Sequence, residues 1–364
     1  MRIAFDAKRA FHNRRGLGNY SRDVIRLLTT FSPKNDYLLF GVPNPDYTFP
    51  DTQTISPDGC WRLLPSLWRS HGCLKQMQTV DVYHGLSGEL PFGIHRLPLR
   101  KVVTIHDAIF IRYPELYSWT YRHLFAHKVQ YACNAADTII AISEQTKRDI
   151  IEFFHADEKK IEVVYQGCSH IFRESVSDEQ IAEVKSLYGL PSEYLLQVGA
   201  IEPRKNLHNL ISAVALAHID LPIVSVGGRT RYADEAERLA SQLGVRLLCI
   251  SGANFRHFPA IYKGATVFCY PSLFEGFGIP ILEAMCVGVP VLTSTGSCFS
   301  ETGGNAALYA NPLDTEEIAD QLSLIVSDSE LQEQMRRKGR QQAALFTDER
   351  VALALRRVVL KEEV

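Results

Sequence analysis

The strongest constraint on the fold of this chain is an alternation that runs from end to end. Ten short apolar runs rich in β-branched residues are separated by helix-length amphipathic segments. The runs are RIAFDA (2–7), YLLFGV (37–42), KVVTIHD (101–107), TIIAIS (138–143), IEVVY (161–165), YLLQVGA (194–200), IVSVGG (223–228), RLLCIS (246–251), TVFCYPS (266–272) and VPVLTS (289–294). Continuous apolar strands separated by helices mean parallel sheets covered on both faces. The fold class is therefore α/β and doubly wound.

The pattern appears twice. A polar break near Gln166–Ser177 separates the two sets, and a new helix is expected over Asp178–Tyr188. With 364 residues, two domains are the natural division. The expected domains are 1–170 and 171–346, with a further helix in 347–364 that presents Val351, Leu355, Val358 and Val359 on one face. Two doubly wound sheets place strand carboxyl ends toward a shared cleft, where ligands bind.

Several classes of protein are disfavoured. The longest uncharged stretch, between Glu283 and Glu301, contains Gly288, Pro290 and Gly296 and does not read as a membrane span. The opening MRIAFDAKR lacks the apolar region of a signal peptide. Eight cysteines at scattered spacings, without C-x-x-C, read as reduced thiols in a cytoplasmic protein rather than as metal ligands. A net charge of −2 argues against wholesale nucleic-acid binding. The charge is uneven, however. Residues 1–170 hold 21 Lys and Arg against 17 Asp and Glu, and residues 171–364 hold 18 against 24. A mildly basic first half suits an anionic partner, such as a diphosphate or an anionic membrane surface, although random imbalance explains it equally well.

Four constellations could carry chemistry. Gly16 and Gly18 open an amphipathic helix, where backbone amides can approach an anion. This is not the dinucleotide fingerprint, because Ser21 occupies the third glycine position and the glycines lie nine residues beyond the strand. His106-Asp107 ends the strand KVVTI, where a histidine faces a ligand or simply sits in a capped loop. Glu202-Pro203-Arg204-Lys205-Asn206 follows a strand and precedes a helix. Its arginine fork and lysine point charge suit a diphosphate; a solvated charged loop is the alternative. The most specific is YPSLFEGFGIPILEAM (270–285), in which Glu275 and Glu283 stand eight positions apart around Gly276, Phe277 and Gly278. A carboxylate in the apolar surroundings of Glu283 needs a partner, and a vicinal diol would supply two donors; stabilisation by the helix dipole is the plainer reading. There is neither a P-loop nor an Asp-x-Asp pair, so phosphate clamping by Arg and Lys is favoured over a bridging metal.

These residues resemble the retaining glycosyltransferases of the GT-B fold, specifically glycosyltransferase family four. The resemblance spans nearly the whole chain. YPSLFEGFGIPILEAMCVGVPVLTS (270–294) is similar to the family's E-x7-E signature, VGAIEPRKNL (198–207) to its phosphate clamp, and RGLGNYSRDVIRLL (15–28) to its first glycine loop. HDAIFIRYPELY (106–117) and YHGLSGELP (83–91) resemble segments of bacterial members that build surface polysaccharides, many of them mannosyltransferases. Ser300-Glu301 departs from the Pro-Glu usual there.

The resemblance implies a Rossmann-like acceptor-binding first domain, a nucleotide-sugar-binding second domain, and a final helix returning to the first. It implies that Arg204 and Lys205 hold the donor diphosphate, within a segment that includes Gly199, and that Glu283 binds the ribose hydroxyls. Glu275, with Gly276 and the amides of Phe277 and Gly278, would contact the transferred sugar or its phosphate. His106 would contact sugar hydroxyls, and Gly18 would bring its amide to the diphosphate. The implied activity is metal-independent, retaining hexose transfer, with GDP-mannose as the first donor and a saccharide or polyprenyl-diphosphate-linked acceptor. A UDP-sugar donor, a nucleotide-sugar epimerase and a non-enzymatic nucleotide-sugar-binding subunit are the alternatives. The stretch WRLLPSLWRSHGCLKQM (61–77), with Trp61, Arg62, Leu64, Trp68 and Arg69, reads either as an acceptor or peripheral membrane element or as an ordinary packed helix.

Overall fold

The computed structural model describes residues 1–362. The chain divides into two compact units, one of Met1–Gln166 together with the segment from Thr347, the other Gly167–Phe346. The division falls at the start of the expected break, a few residues before position 170.

The first unit holds a seven-stranded sheet of β1 (Arg2–Asp6), β2 (Asp36–Phe40), β3 (Thr52–Ile55), β4 (Val82–Gly85), β5 (Arg100–Ile105), β6 (Thr138–Ala141) and β7 (Ile161–Val163). The order is β3-β2-β1-β4-β5-β6-β7, and every pair is parallel. The second unit holds β8 (Leu195–Val198), β9 (Ile223–Val226), β10 (Leu247–Ile250), β11 (Val267–Tyr270), β12 (Val291–Ser294) and β13 (Ala307–Ala310). Their order is β10-β9-β8-β11-β12-β13, again all parallel. Strand order reverses between β1 and β4 in one sheet and between β8 and β11 in the other. At such a switch point the loops leave the carboxyl ends in opposite directions and open a crevice for a ligand.

Three strands escape the sequence pattern. β3 is a half-exposed edge with the polar sequence TQTI. β4 is only four residues long and ends in Gly85. In β13 two of the four residues are alanine, a helix former. The helix Asp178–Tyr188 begins in a capping box between Ser177 and Gln180 and ends on the left-handed Gly189.

The final segment forms a helix at Asp348–Leu355 and a wider turn at Arg356–Leu360. Val351, Leu355 and Val359 are buried. Asp348 pairs with Arg26 at 2.7 Å, and Arg100 on β5 donates to the carbonyls of Val358 and Val359 at 2.6 and 2.8 Å. These contacts attach the segment to the first unit.

Candidate functional site

In the second unit the loops after β8 and β11 meet at the switch point. Pro203–Lys205 forms a tight 3-10 turn, and Asn206 leaves it in the left-handed conformation at φ 60°. The Asn206 amide donates to the carbonyls of Pro271 and Pro312 at 3.0 and 2.6 Å, while Gln197 on β8 donates to the Lys205 carbonyl at 2.9 Å. The backbone of the basic loop is therefore fixed on three sides. Gly199 ends at φ 137°, a conformation that L side chains rarely adopt, and a Cβ there would lie 3.1 Å from Lys205 Cε.

Arg204 Nη1 and Lys205 Nζ both reach Oε1 of Glu275 at 2.6 Å. Arg204 also pairs with Glu202 at 2.8 Å and donates to the Phe274 carbonyl at 2.9 Å. Lys205 donates to the Tyr270 hydroxyl at 2.6 Å. Burial alone would raise the Glu275 carboxyl, but the Arg204 and Lys205 charges outweigh it and bring it down to about 2. Burial pulls the Lys205 ammonium down, and the shared carboxylate opposes that. Arg204 stays firmly charged, because Glu275 and Glu202 overcome the cost of burying it. The result is a largely buried, preorganised cluster of two cations and two carboxylates.

The backbone of the loop from Tyr270 to Gly278 is held by side chains of the segment after β12. Ser297, at φ 47°, accepts from the Glu275 amide at 3.2 Å and donates to its carbonyl at 2.9 Å. Cys298 donates to the same carbonyl at 3.2 Å, and Thr302 donates to that of Phe277. Gly276 lies in this loop, and the Phe277 ring packs edge-on to Phe346 in the core at 5.6 Å. Gly278 caps the helix Ile279–Val287, which carries Glu283. Ser300 and Glu301 lie in the short helix Phe299–Gly303. Glu283 is 9% exposed, accepts from the Tyr262 hydroxyl at 2.7 Å, and is pushed up to about 7 by burial.

In the first unit, Gly16 and Gly18 form the first turn of the helix Gly16–Phe31. A Cβ on Gly18 would stand 1.7 Å from the Asn13 carbonyl oxygen, so only glycine fits. The Gly18 amide bonds to the Arg15 carbonyl at 2.9 Å. The expectation that this amide meets a diphosphate is therefore corrected: it is spent on the turn. His106 directly follows β5, and its Nε2 donates to the Leu86 carbonyl at 2.9 Å, which leaves Nδ1 as an acceptor in the neutral ring. Burial draws His106 down to about 4, so the neutral form dominates near pH 7. Tyr20 packs edge-on to it at 4.6 Å, and its hydroxyl meets Thr104 Oγ1 at 2.9 Å. Asp107 caps the next turn through the Ile109 amide at 3.1 Å.

The stretch 61–77 does not form one amphipathic helix. It splits into 3-10 turns at Gly59–Leu63 and Gly72–Met77 around the short helix Pro65–Ser70. Trp68 is 1% exposed and stacks on Phe40 at 6.1 Å. Arg69 pairs with Asp6 at 2.7 Å and with Glu89 at 2.6 Å. Neither can rest on a membrane, because both are enclosed by the core and by carboxylates. The exposed large apolar side chains here are Leu63, Leu64 and Leu67.

Sequence reasoning assigned no role to Tyr262, Tyr270 or Ser297. The available signal was the need itself: a glutamate in an apolar turn and a buried lysine each require a polar neighbour.

The family described as "Glycosyl transferases group 1" matches residues 179–342, and "Glycosyltransferase Family 4" matches residues 26–170. The chain is 29% identical over 273 residues to O-antigen chain mannosyltransferase B of Escherichia coli, covering 73% of this chain and 70% of that protein. It is 29% identical to O-antigen chain mannosyltransferase RfbU of Salmonella typhimurium, over 60% of each. It also matches about a third (34%) of the length of the E. coli serotype-specific mannosyltransferase WbdA, at 27% identity over 74% of this chain. Among solved structures, Anabaena Alr3699/HepE in complex with UDP aligns over the whole of both chains, with a TM-score of 0.79 at 17% identity. Sucrose-phosphate synthase from Thermosynechococcus elongatus gives 0.79 at 19%, over 99% of this chain and 98% of that one. The chain is similar to the family-four glycosyltransferases over its first unit and to the group 1 glycosyl transferases over its second, and its two parallel-sheet, Rossmann-like units are those of the GT-B fold.

Proposed function

We propose that this protein transfers a hexose, first of all mannose from GDP-mannose, from a nucleotide diphosphate sugar to a saccharide or lipid-linked saccharide hydroxyl in surface-polysaccharide synthesis. The observation that carries this reading is the convergence of Arg204 and Lys205 on Glu275 at 2.6 Å, at the switch point of the second sheet. The mannosyltransferase relatives support the choice of sugar. The neighbour solved with UDP-glucose keeps a UDP-sugar as the competing donor.

In this reading the second unit holds the donor. Arg204 and Lys205 bind the diphosphate, and the Glu283 carboxylate accepts from the ribose hydroxyls. Glu275, with the Phe277 and Gly278 amides, borders the transferred sugar. His106, neutral, accepts from a sugar hydroxyl through Nδ1. The acceptor belongs to the first unit, where the first-turn amides of Gly16 and Leu17 remain for an anion.

The bond from the anomeric carbon to the diphosphate oxygen breaks as the acceptor oxygen attacks the same face, so configuration is retained. The acceptor proton passes to the leaving phosphate oxygen. The two cations neutralise the charge that builds on that oxygen without a metal. Any peripheral contact with an anionic cytoplasmic membrane would use Leu63, Leu64 and Leu67 with Arg62, not Trp68 or Arg69.

The test is a panel of labelled nucleotide sugars, incubated with and without a polyprenyl-diphosphate-linked saccharide. Acceptor-dependent consumption of GDP-mannose is the expected result. Consumption of a sugar nucleotide without acceptor would make the protein an epimerase, and binding without consumption in either arm would make it a carrier.

A further inference from the structure

The helix Ile279–Val287 that carries Glu283 carries a second reactive group one turn later, Cys286. Its Sγ lies 3.3 Å from Sγ of Cys168, and both belong to the second unit. The two residues are 118 positions apart in sequence, so the fold rather than the chain brings them together. Cys168 is 2% exposed, whereas Cys286 is only half-buried and within reach of solvent. The remaining cysteines contrast with this pair. Cys73, Cys133, Cys269 and Cys298 are buried, and burial pushes their thiols up. Cys60 is exposed.

We propose that Cys286 and Cys168 are a peroxide-sensitive modification site that closes reversibly to an intrachain disulfide, with Cys286 as the attacking sulfur and Cys168 as the resolving one. The electrostatics favour this order. With Cys168 as the donor, the S–H···S bond lowers the Cys286 thiol, and the Arg173 charge adds to the effect against burial and Glu283. The same pairing holds Cys168 up as a thiol. A thiolate with an adjacent thiol and access to solvent is the arrangement that oxidises selectively.

The co-reactant is a hydroperoxide. Cys286 sulfur attacks the distal peroxide oxygen; an S–O bond forms, the O–O bond breaks, and the alcohol, or water from hydrogen peroxide, leaves with the proton. Cys168 sulfur then attacks Cys286 sulfur; the S–S bond forms, the S–O bond breaks, and the hydroxyl leaves as water with the Cys168 proton. The sulfur pair loses two electrons and the peroxide gains them. An external dithiol reverses the change.

Closure brings the sulfurs from 3.3 Å to about 2.05 Å. That draws the Glu283 helix toward the segment that opens the second unit. Oxidation is therefore expected to weaken nucleoside-diphosphate binding severalfold, a consequence that rests on the proposed role of Glu283.

The full chain, exposed to hydrogen peroxide, alkylated and mapped by mass spectrometry, should show a linked Cys168–Cys286 peptide pair that dithiothreitol restores to two thiols. Cys168→Ser should leave a sulfenic acid on Cys286 that dimedone traps, and Cys286→Ser should leave Cys168 unmodified. Both thiols remaining alkylatable while Cys60 oxidises would overturn the proposal, as would dimedone labelling at Cys168 in place of Cys286. GDP titration of the oxidised and reduced chain is read separately. A disulfide that forms with unchanged GDP affinity upholds the site and removes its link to Glu283. Failure of both forms to bind any nucleoside diphosphate counts against the functional reading alone, since the thiol map is independent of it.

Discussion

Tyr262 donates a 2.7 Å hydrogen bond from its hydroxyl to Oε2 of Glu283, within a pocket that leaves the glutamate 9% exposed. One hydrogen bond does not repay the desolvation of a carboxylate, which is why the group sits near 7 rather than at its ordinary 4.5.

The first prediction follows from that displacement. Below about pH 4.5 the carboxyl is protonated in both folded and unfolded chains and costs nothing. Between 4.5 and 7 the folded chain keeps a proton that the unfolded chain has lost, so stability falls as pH rises. Above 7 the full penalty, about 3 kcal/mol, is present. Glu283→Gln should flatten this slope and be the more stable form at pH 8. Urea unfolding of both proteins at pH 5 and pH 8 is the measurement; parallel pH profiles would count against a protonated Glu283. In the proposed function, donor affinity of the parent rises through pH 7, because the carboxylate is the form that accepts two ribose hydroxyls.

The clamp gives the second prediction. Removing one charge-assisted partner of a diphosphate should cost about 1.5–3 kcal/mol, or roughly ten- to a hundredfold in affinity. Arg204→Ala and Lys205→Ala should weaken GDP binding and turnover together. Arg204→Ala should also lower stability, since it leaves Glu202 unpaired and Glu275 with Lys205 alone. Isothermal titration with GDP reads the first effect and urea unfolding the second. Parental affinity in both variants would place the diphosphate elsewhere.

The alternation of strand and helix was readable because strands buried on both faces leave unbroken apolar runs. The basic pair and the two glutamates were readable because charges beside strand ends and inside apolar turns need a reason. What was not readable was partnership at a distance. Trp68 and Arg69 look interfacial in isolation, since nothing local says that Asp6, 63 positions away, and Glu89, 20 positions away, will neutralise the guanidinium. Tyr262 and Glu283 are 21 positions apart on different elements, so Glu283 showed a need without naming its partner. Gly18 was recognised as a glycine that matters, but its close neighbour is the Asn13 carbonyl. Sequence alone cannot tell a backbone oxygen from a phosphate.

Glu275 and Glu283 should separate in their kinetics. Glu283→Ala should chiefly raise KM for the donor, whereas Glu275→Ala should chiefly lower kcat, by about 10²–10³ by analogy with loss of one stabilising donor. Glu275 holds both clamp residues at 2.6 Å, so its loss also lets two adjacent cations repel and shift. Initial rates over a range of donor concentrations distinguish the two patterns, and reversed phenotypes would refute the assignment.

Charge neutralisation by Arg204 and Lys205 should make the reaction indifferent to chelation. Excess EDTA should leave the rate within about twofold, because the positive charge at the leaving group is covalently part of the protein. Near-complete loss of activity, restored by Mg²⁺ or Mn²⁺, would sink this idea.

Arg69 supplies the last prediction. Its guanidinium bridges Asp6, 2% exposed, and Glu89, beside the switch point of the first sheet, and Lys128 completes the cluster at 3.5 Å from Glu89. Its Nε is buried without a hydrogen-bond partner, so the group already carries part of the cost of its own desolvation. Breaking a buried pair by deleting one member is expensive, about 3–5 kcal/mol, because the remaining charge is stranded, whereas replacing the whole set with apolar groups of similar volume is often close to neutral. Arg69→Ala should therefore lower the urea midpoint sharply. Arg69→Met combined with Asp6→Leu and Glu89→Met should recover much of the loss. A surface arginine at a membrane would behave differently: its removal would leave stability within about 0.5 kcal/mol and would reduce binding to anionic vesicles. Unfolding and vesicle co-sedimentation of Arg69→Ala discriminate the two, and unchanged stability with reduced vesicle binding would return Arg69 to the surface.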